Sequence, residues 1–208
     1  MKFYKDLIDK INNNIPFKFS RWGDGEWNCM MGVKGKNRDG NEYFRELGRE
    51  LRAIFDSRPD YYIGLQYGTL YNDNIRQYIF QKLFELNIDF VNGDIFHQAS
   101  EFGQLHRFIK ALEDKQVFII GATYFKKLPY RHIRIPYKNS YFYNDILFRK
   151  LNLLKDEIYL VAAAMNSNVI IHRMPKHVTA IDIGSVLDPY LGITRATYQH
   201  LLKPEKLF

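Results

Sequence analysis

The sequence predicts an α/β domain with a mainly parallel central sheet covered on both faces. Three observations carry this. Short, nearly continuous apolar runs recur between stretches of helical periodicity, the pattern of strands buried on both faces and joined by helical crossovers. The 208 residues suffice for one well-buried core and are few for two. The polar, glycine-bearing loops "GDGE", "NGD", "GATY", "AAMNSN" and "DIGSVLD" all follow predicted strands, at the edge where such sheets bind ligands. One domain over residues 1–208 is expected, with no internal repeat or long linker.

The opening "MKFYKDLIDKINNN" reads as an amphipathic helix rather than a signal peptide, because acids interrupt it throughout. Residues 15–22, "IPFKFSRW", read as a strand, and "GEWNCMMG" as a short helical turn leaving the glycine-rich break. Residues 41–56 have helical periodicity, with Asn41 as the expected cap. A strand at 61–67 precedes a helix at 72–87, on which Phe80, Leu83 and Phe84 share a face. A strand at 88–93 leads to one helix over 100–115, started by Ser100. "QVFIIGATYF" is a strand ending at Gly121, and "HIRIPY" at 132–137 is another. A helix over "YNDILFRKLNLLK" precedes the apolar strand 157–164. "NSNVIIHRMPK" reads as a helix stopped by Pro175, 177–184 as a strand, and "TRATYQHLLK" as the last helix.

Composition narrows the function classes. No apolar run approaches the ~20 residues of a membrane span, and a single cysteine, Cys29, cannot form an internal disulfide. A reducing, cytoplasmic setting is therefore expected. The formal charge of +7 favours an anionic partner. The cations are scattered, with modest concentration in "YFKKLPYRHIRIPYKNSY", and lack the continuous positive surface of a nucleic-acid binder, so no stable nucleic-acid partner is expected. The 15 tyrosines and 16 phenylalanines supply core area at low entropy cost, and exposed ones are compatible with a monomer or a dimer.

The chemistry concentrates in "FSRWGDGEW". Asp24 and Glu26 can converge at a turn into a helix, and two carboxylates suit Mn²⁺ or Mg²⁺ completed by water and substrate phosphate. Gly23 and Gly25 permit close backbone approach. The ordinary alternative is a surface turn with a capping acid. Arg21, at the end of an apolar-patterned strand, offers a planar fork for a phosphate or for one of the acids. Trp22 and Trp27 read as packing residues. Gly121 would present backbone N–H groups to phosphate, although "IIGATY" lacks a dinucleotide or phosphate-loop signature. Asn166, Ser167 and Asn168 would bind a nucleotide or cap the next helix. Asp182, inside an apolar strand, needs a partner and would orient substrate, act as a base, or bond loop backbone; Asp188 beside Pro189 has a turn explanation. Among six dispersed histidines none has zinc spacing, and His97 alone falls near the predicted mouth.

Taken together, "FSRWGDGEW", "VFIIGA", "LVAAAMNSNVIIHRM" and "TAIDIGSVLD" resemble the GT-D glycosyltransferases, over roughly residues 15 to 190. Asp24 and Glu26 stand where that family's Asp-x-Glu acids would be, and Arg21 matches the arginine before them. The resemblance implies a compact Rossmann-like domain with a divalent cation bridging the diphosphate of a nucleotide-sugar donor, and hexose transfer, most familiarly from UDP-glucose, to a glycan or glycoprotein acceptor. "SVLDPYLG" departs from the pattern. A metal-dependent phosphohydrolase and a non-catalytic nucleotide-binding module are the competing expectations; the first would need a second set of metal ligands, and the sequence offers none.

Overall fold

The computed structural model describes residues 2–193 and residue 207. Seven strands, β1 (Lys18–Trp22), β2 (Tyr62–Leu65), β3 (Phe90–Asn92), β4 (Val117–Gly121), β5 (Arg131–Arg134), β6 (Ile158–Ala162) and β7 (Thr179–Asp182), form one sheet in the order β3-β2-β1-β7-β6-β4-β5. Every pairing between these strands is parallel, and the four central strands β1, β7, β6 and β4 are buried almost throughout, as a sheet covered on both faces demands. The expected fold class therefore holds.

Helices cover both faces. On one side α1 (Lys2–Asn12), α5 (Ile95–Glu101) and α6 (Leu105–Leu112) pack on Phe19, Ile119, Leu160 and Ile181. On the other, α2 (Asp24–Met31), α3 (Arg45–Asp56), α4 (Asp73–Leu86), α7 (Asn144–Lys150) and α8 (Asn166–Arg173) pack on Trp22, Ile63, Ile120 and Val161. The alternation of β1 divides it between the layers: Phe19 joins the first core and Trp22 the second. Trp22 and Trp27 are fully buried, 5.6 Å apart between ring centroids, so both are packing residues.

Three local expectations are corrected. The helix expected over 100–115 is two, α5 and α6, broken where Gly103 takes a left-handed φ of 63°. Asn41 does not cap α3. Phe44 holds that position without a side-chain bond, and the Asn41 side-chain Oδ1 instead accepts from the backbone N–H of Asn139. On α4 the buried pair is Ile75 and Ile79, whereas Phe80 and Phe84 are exposed. The helix expected over 194–203 lies outside the described residues. Among the described residues no helix is long and apolar enough to cross a membrane.

Candidate functional site

Arg21 lies near the carboxyl end of β1 and is almost wholly buried. Its Nε donates to the Gly93 carbonyl at 2.9 Å, and Nη2 lies 3.7 Å from Asp94 Oδ1. Two glycines make this placement possible. Gly93 packs against the end of β2 so closely that a Cβ on it would stand 2.6 Å from the Leu65 carbonyl carbon. A Cβ on Gly184 would fall 1.7 Å from Arg21 Nη1. Asp94 is fixed in turn by Gln66 Nε2 at 3.1 Å and by the Tyr67 N–H at 3.2 Å. A guanidinium held at this many points is pre-organised for a planar anion.

The paired acids open α2. Gly23 is its N-cap, and Glu26 Oε2 accepts the Gly23 N–H at 2.8 Å, while Asp24 Oδ1 accepts the N–H of Gly25 at 2.9 Å. Glu26 thus has the reciprocal bond of a capping acid as well as a place at the cavity wall. Burial pushes its carboxyl up to about 7, and the neighbouring charges of Asp182 and Asp24 add to the rise. Burial also raises Asp182, to about 6, against the opposing pull of Arg21 and of hydrogen bonds from the Gly184 and Arg21 backbones. Anionic carboxylates held near one another under desolvation favour a proton or a cation between them. Among the described residues, no three or more His, Cys, Asp or Glu side chains cluster as a self-sufficient metal site. Any cation here would take further ligands from substrate or water.

Arg21, Asp24, Gly25, Glu26 and Asp182 line one cavity of about 220 Å³ at the carboxyl ends of β1 and β7. Of the remaining wall, the sequence reading missed Arg38 and Asp39 from the loop after α2, Gln66 after β2 and Tyr137 after β5, and placed Tyr124 and Ser185 at this edge only as members of the "GATY" and "DIGSVLD" loops. The charged, glycine-flanked "KGKNRDG" was the available signal for the first two. The others follow strand ends, and only their common edge marks them.

Several expected residues point elsewhere. Gly23 does not line the cavity; a Cβ there would stand 1.9 Å from Gln66 Oε1, so its bareness serves the approach of α2 to β2. Gly121 is pressed against Phe125, 2.5 Å from its would-be Cβ, and its carbonyl accepts from Ile135 N–H at 3.0 Å. The Asn166 amide is spent on Asn144, at 2.8 Å in both directions, and on Ser140. Ser167 Oγ accepts from the Ala163 N–H at 3.0 Å. Asn168 Nδ2 donates to the Arg21 carbonyl at 2.9 Å, bracing the strand end from below. His97 is buried beside Arg21; burial and that positive charge push its pKa well below the ordinary value, so it stands neutral. Cys29 is buried, its thiol pushed up to about 11 by burial. Asp188 is fully buried.

No protein-family model matches the chain, and no curated protein matches it. Solved structures do. One described as "A New Glycosyltransferase (DUF1792) from Streptococcus sanguinis" superposes with a TM-score of 0.69 at 15% identity, over 98% of this chain and 94% of that one. Another, "The highly conserved domain of unknown function 1792 has a distinct glycosyltransferase fold", gives 0.60 at 20% identity over 90% and 80%. A third, described as a selenomethionine-substituted structure of the same domain, gives 0.62 at 20% identity with equal coverage. What this chain shares with them is the fold.

Proposed function

We propose that the protein is a metal-dependent glycosyltransferase of the GT-D type, moving a hexose from a nucleotide sugar, with UDP-glucose or another UDP-hexose as first choice, to a glycan or glycoprotein acceptor. The observation that carries this reading is the convergence of Arg21, Asp24, Glu26 and Asp182 on one cavity at the sheet edge. The likeness of the fold to structures described as glycosyltransferases supports it.

Asp24 and Glu26 would hold Mn²⁺ or Mg²⁺, and their donor chemistry fits: hard oxygen ligands, one exposed and one desolvated, whose mutual repulsion a cation relieves. Such an ion, when bound, supplies charge neutralisation for a departing diphosphate. Arg21, immobilised by Gly93 and Asp94, presents its guanidinium to the same phosphates and stabilises the charge that grows on them. The acceptor hydroxyl oxygen forms the bond to the anomeric carbon while the bond from that carbon to the diphosphate oxygen breaks. The hydroxyl proton passes to a carboxylate, and Asp182 is the assigned base. Its pKa of about 6 leaves it ionised at neutral pH yet basic enough to take a proton. Tyr124 and Tyr137, 6.5 Å apart between centroids on the cavity rim, give the donor an aromatic wall.

A panel of UDP-, GDP- and dTDP-sugars, scored by binding and then offered with glycan acceptors, tests the reading. Product mass should rise by one sugar as nucleotide diphosphate is released. A folded, metal-supplemented protein that binds none of the donors would refute it.

A further inference from the structure

Helix α3 separates its charges into two stripes. Glu46 and Glu50 lie on one side, where Glu50 accepts from Arg173 at 2.7 Å and from the Tyr141 hydroxyl at 2.7 Å. Arg45, Arg49 and Arg52, spaced four and three residues apart, are all exposed on the other side. None of these arginines forms an ion pair among the described residues; Arg52 is anchored by donating to the Met30 carbonyl. With Lys34 they line a groove of about 560 Å³ whose wall includes no acid. Like charges at this spacing repel by roughly 0.2–0.5 kcal/mol per pair, and among the described residues no ion pair relieves them.

Two features draw the stripe together. Gly48 sits inside α3, where a glycine costs roughly 0.5–1 kcal/mol relative to alanine. Its Cβ would stand 2.3 Å from the Cys29 carbonyl, so glycine lets α2 and α3 meet closely and sets the arginines beside the loop carrying Lys34. The first turn of α3 also reaches this groove through Phe44 and Arg45, with no side chain capping its N–H groups, which adds the positive end of the helix dipole.

We propose that this groove is a second, independent binding site for a phosphate-bearing ligand, recognised by the forks of Arg45 and Arg49 with Lys34 and Arg52 flanking. The loop between α2 and α3 separates it from the sheet-edge cavity, with Arg38 and Asp39 facing one side and Val33 and Lys34 the other. The site does not depend on the glycosyltransfer reading. The same chemistry is offered by a free phosphate compound and by a phospholipid headgroup, and the test separates them.

Inorganic pyrophosphate is titrated into ¹⁵N-labelled full-length protein while amide signals are followed. In a parallel arm, the protein is co-sedimented with phosphatidylglycerol–phosphatidylcholine vesicles and with pure phosphatidylcholine. The expected result is movement of the Gly32 and Gly48 amides with pyrophosphate, or retention on the anionic vesicles. Either response should weaken at least about tenfold in Arg45→Ala/Arg49→Ala, as loss of two charge-assisted contacts requires. The Arg45→Lys/Arg49→Lys protein should recover part of it, and an unchanged amide spectrum elsewhere establishes that the fold is intact. A free-phosphate ligand gives the first response and a headgroup the second. The proposal is overturned if the pyrophosphate shifts are confined to Gly25 and Gly184 while vesicle retention is absent or indifferent to the double substitution. Asp24→Asn, which disables the sheet-edge cavity, should leave the groove signals unchanged, so the two readings fail separately.

Discussion

Strand β1 buries a cation near each end, and the two are treated in opposite ways. Lys18, at its start, donates to the carbonyls of His172 at 3.2 Å and Met174 at 3.0 Å and lies 4.7 Å from the centre of the Tyr61 ring. It closes off the end of α8, and burial lowers its pKa. Arg21, three residues on, is instead held at its rim by Gly93 and Asp94, with Asp182 and an open cavity before it. A buried cation saturated by carbonyls is a structural tie; one fixed from behind and facing acids across a void is equipped for an anionic ligand.

Exchanging these cations should expose the difference most strongly. Arg21→Ala is expected to lower transfer at least about 100-fold, as for loss of a charge-stabilising donor. Arg21→Lys should not restore it, because an ammonium cannot reproduce the fork. Lys18→Met should leave transfer intact and move stability by no more than about 2 kcal/mol, since removal of a buried charge offsets the lost hydrogen bonds. Product formation and denaturant melts read both.

Gly184→Ala attacks the same arginine without touching its charge. The new Cβ would occupy the place of Nη1 at a backbone φ of 50°, so transfer should fall about 10- to 100-fold through misplacement. Stability should drop by about 1–2 kcal/mol from the left-handed strain. Steady-state kinetics against thermal unfolding separates the two effects.

The acids facing Arg21 give a pH signature. Both Glu26 and Asp182 hold protons more tightly in the folded chain than in the unfolded one. Their stabilising contribution is full below the ordinary carboxylate range and is lost as pH rises through about 6 and about 7. The Tm of the metal-free protein should therefore fall by a few degrees between about pH 5 and about pH 8. Glu26→Gln should flatten the upper part of that slope. Asn166→Ala has the smallest functional effect: it strands the buried Asn144 amide, costs about 1–3 kcal/mol, and leaves transfer unchanged.

The sheet and most helices were legible because their periodicity is local: "VFIIG" and "IYLVA" cannot be buried on two faces except inside such a sheet. Gly103 shows the limit, since a glycine inside an amphipathic run reads as tolerable until its φ turns positive. At the site, Arg21, Asp24, Glu26 and Asp182 were legible as charges placed where a strand should be apolar or a helix should begin. Asp94 was visible only as part of the "NGD" edge loop and Gln66 not at all, because their importance comes from the packing of β2 against the Gly93 turn, which links residues far apart in sequence. Asn166 and Ser167 were read from residue type alone, and type does not reveal that Asn144 and the Ala163 N–H already engage them.

The central claim is that Arg21 and the Asp24–Glu26 pair hold a nucleotide-sugar diphosphate through a divalent cation. Calorimetric titration of UDP-glucose into the protein, with and without Mn²⁺, tests it most directly when run beside Asp24→Asn. Donor binding in the wild type should tighten at least about tenfold with Mn²⁺, as a shared metal–phosphate contact requires, and Asp24→Asn should abolish that gain. Equal Mn²⁺ dependence in both proteins, with unchanged affinity, would contradict the account.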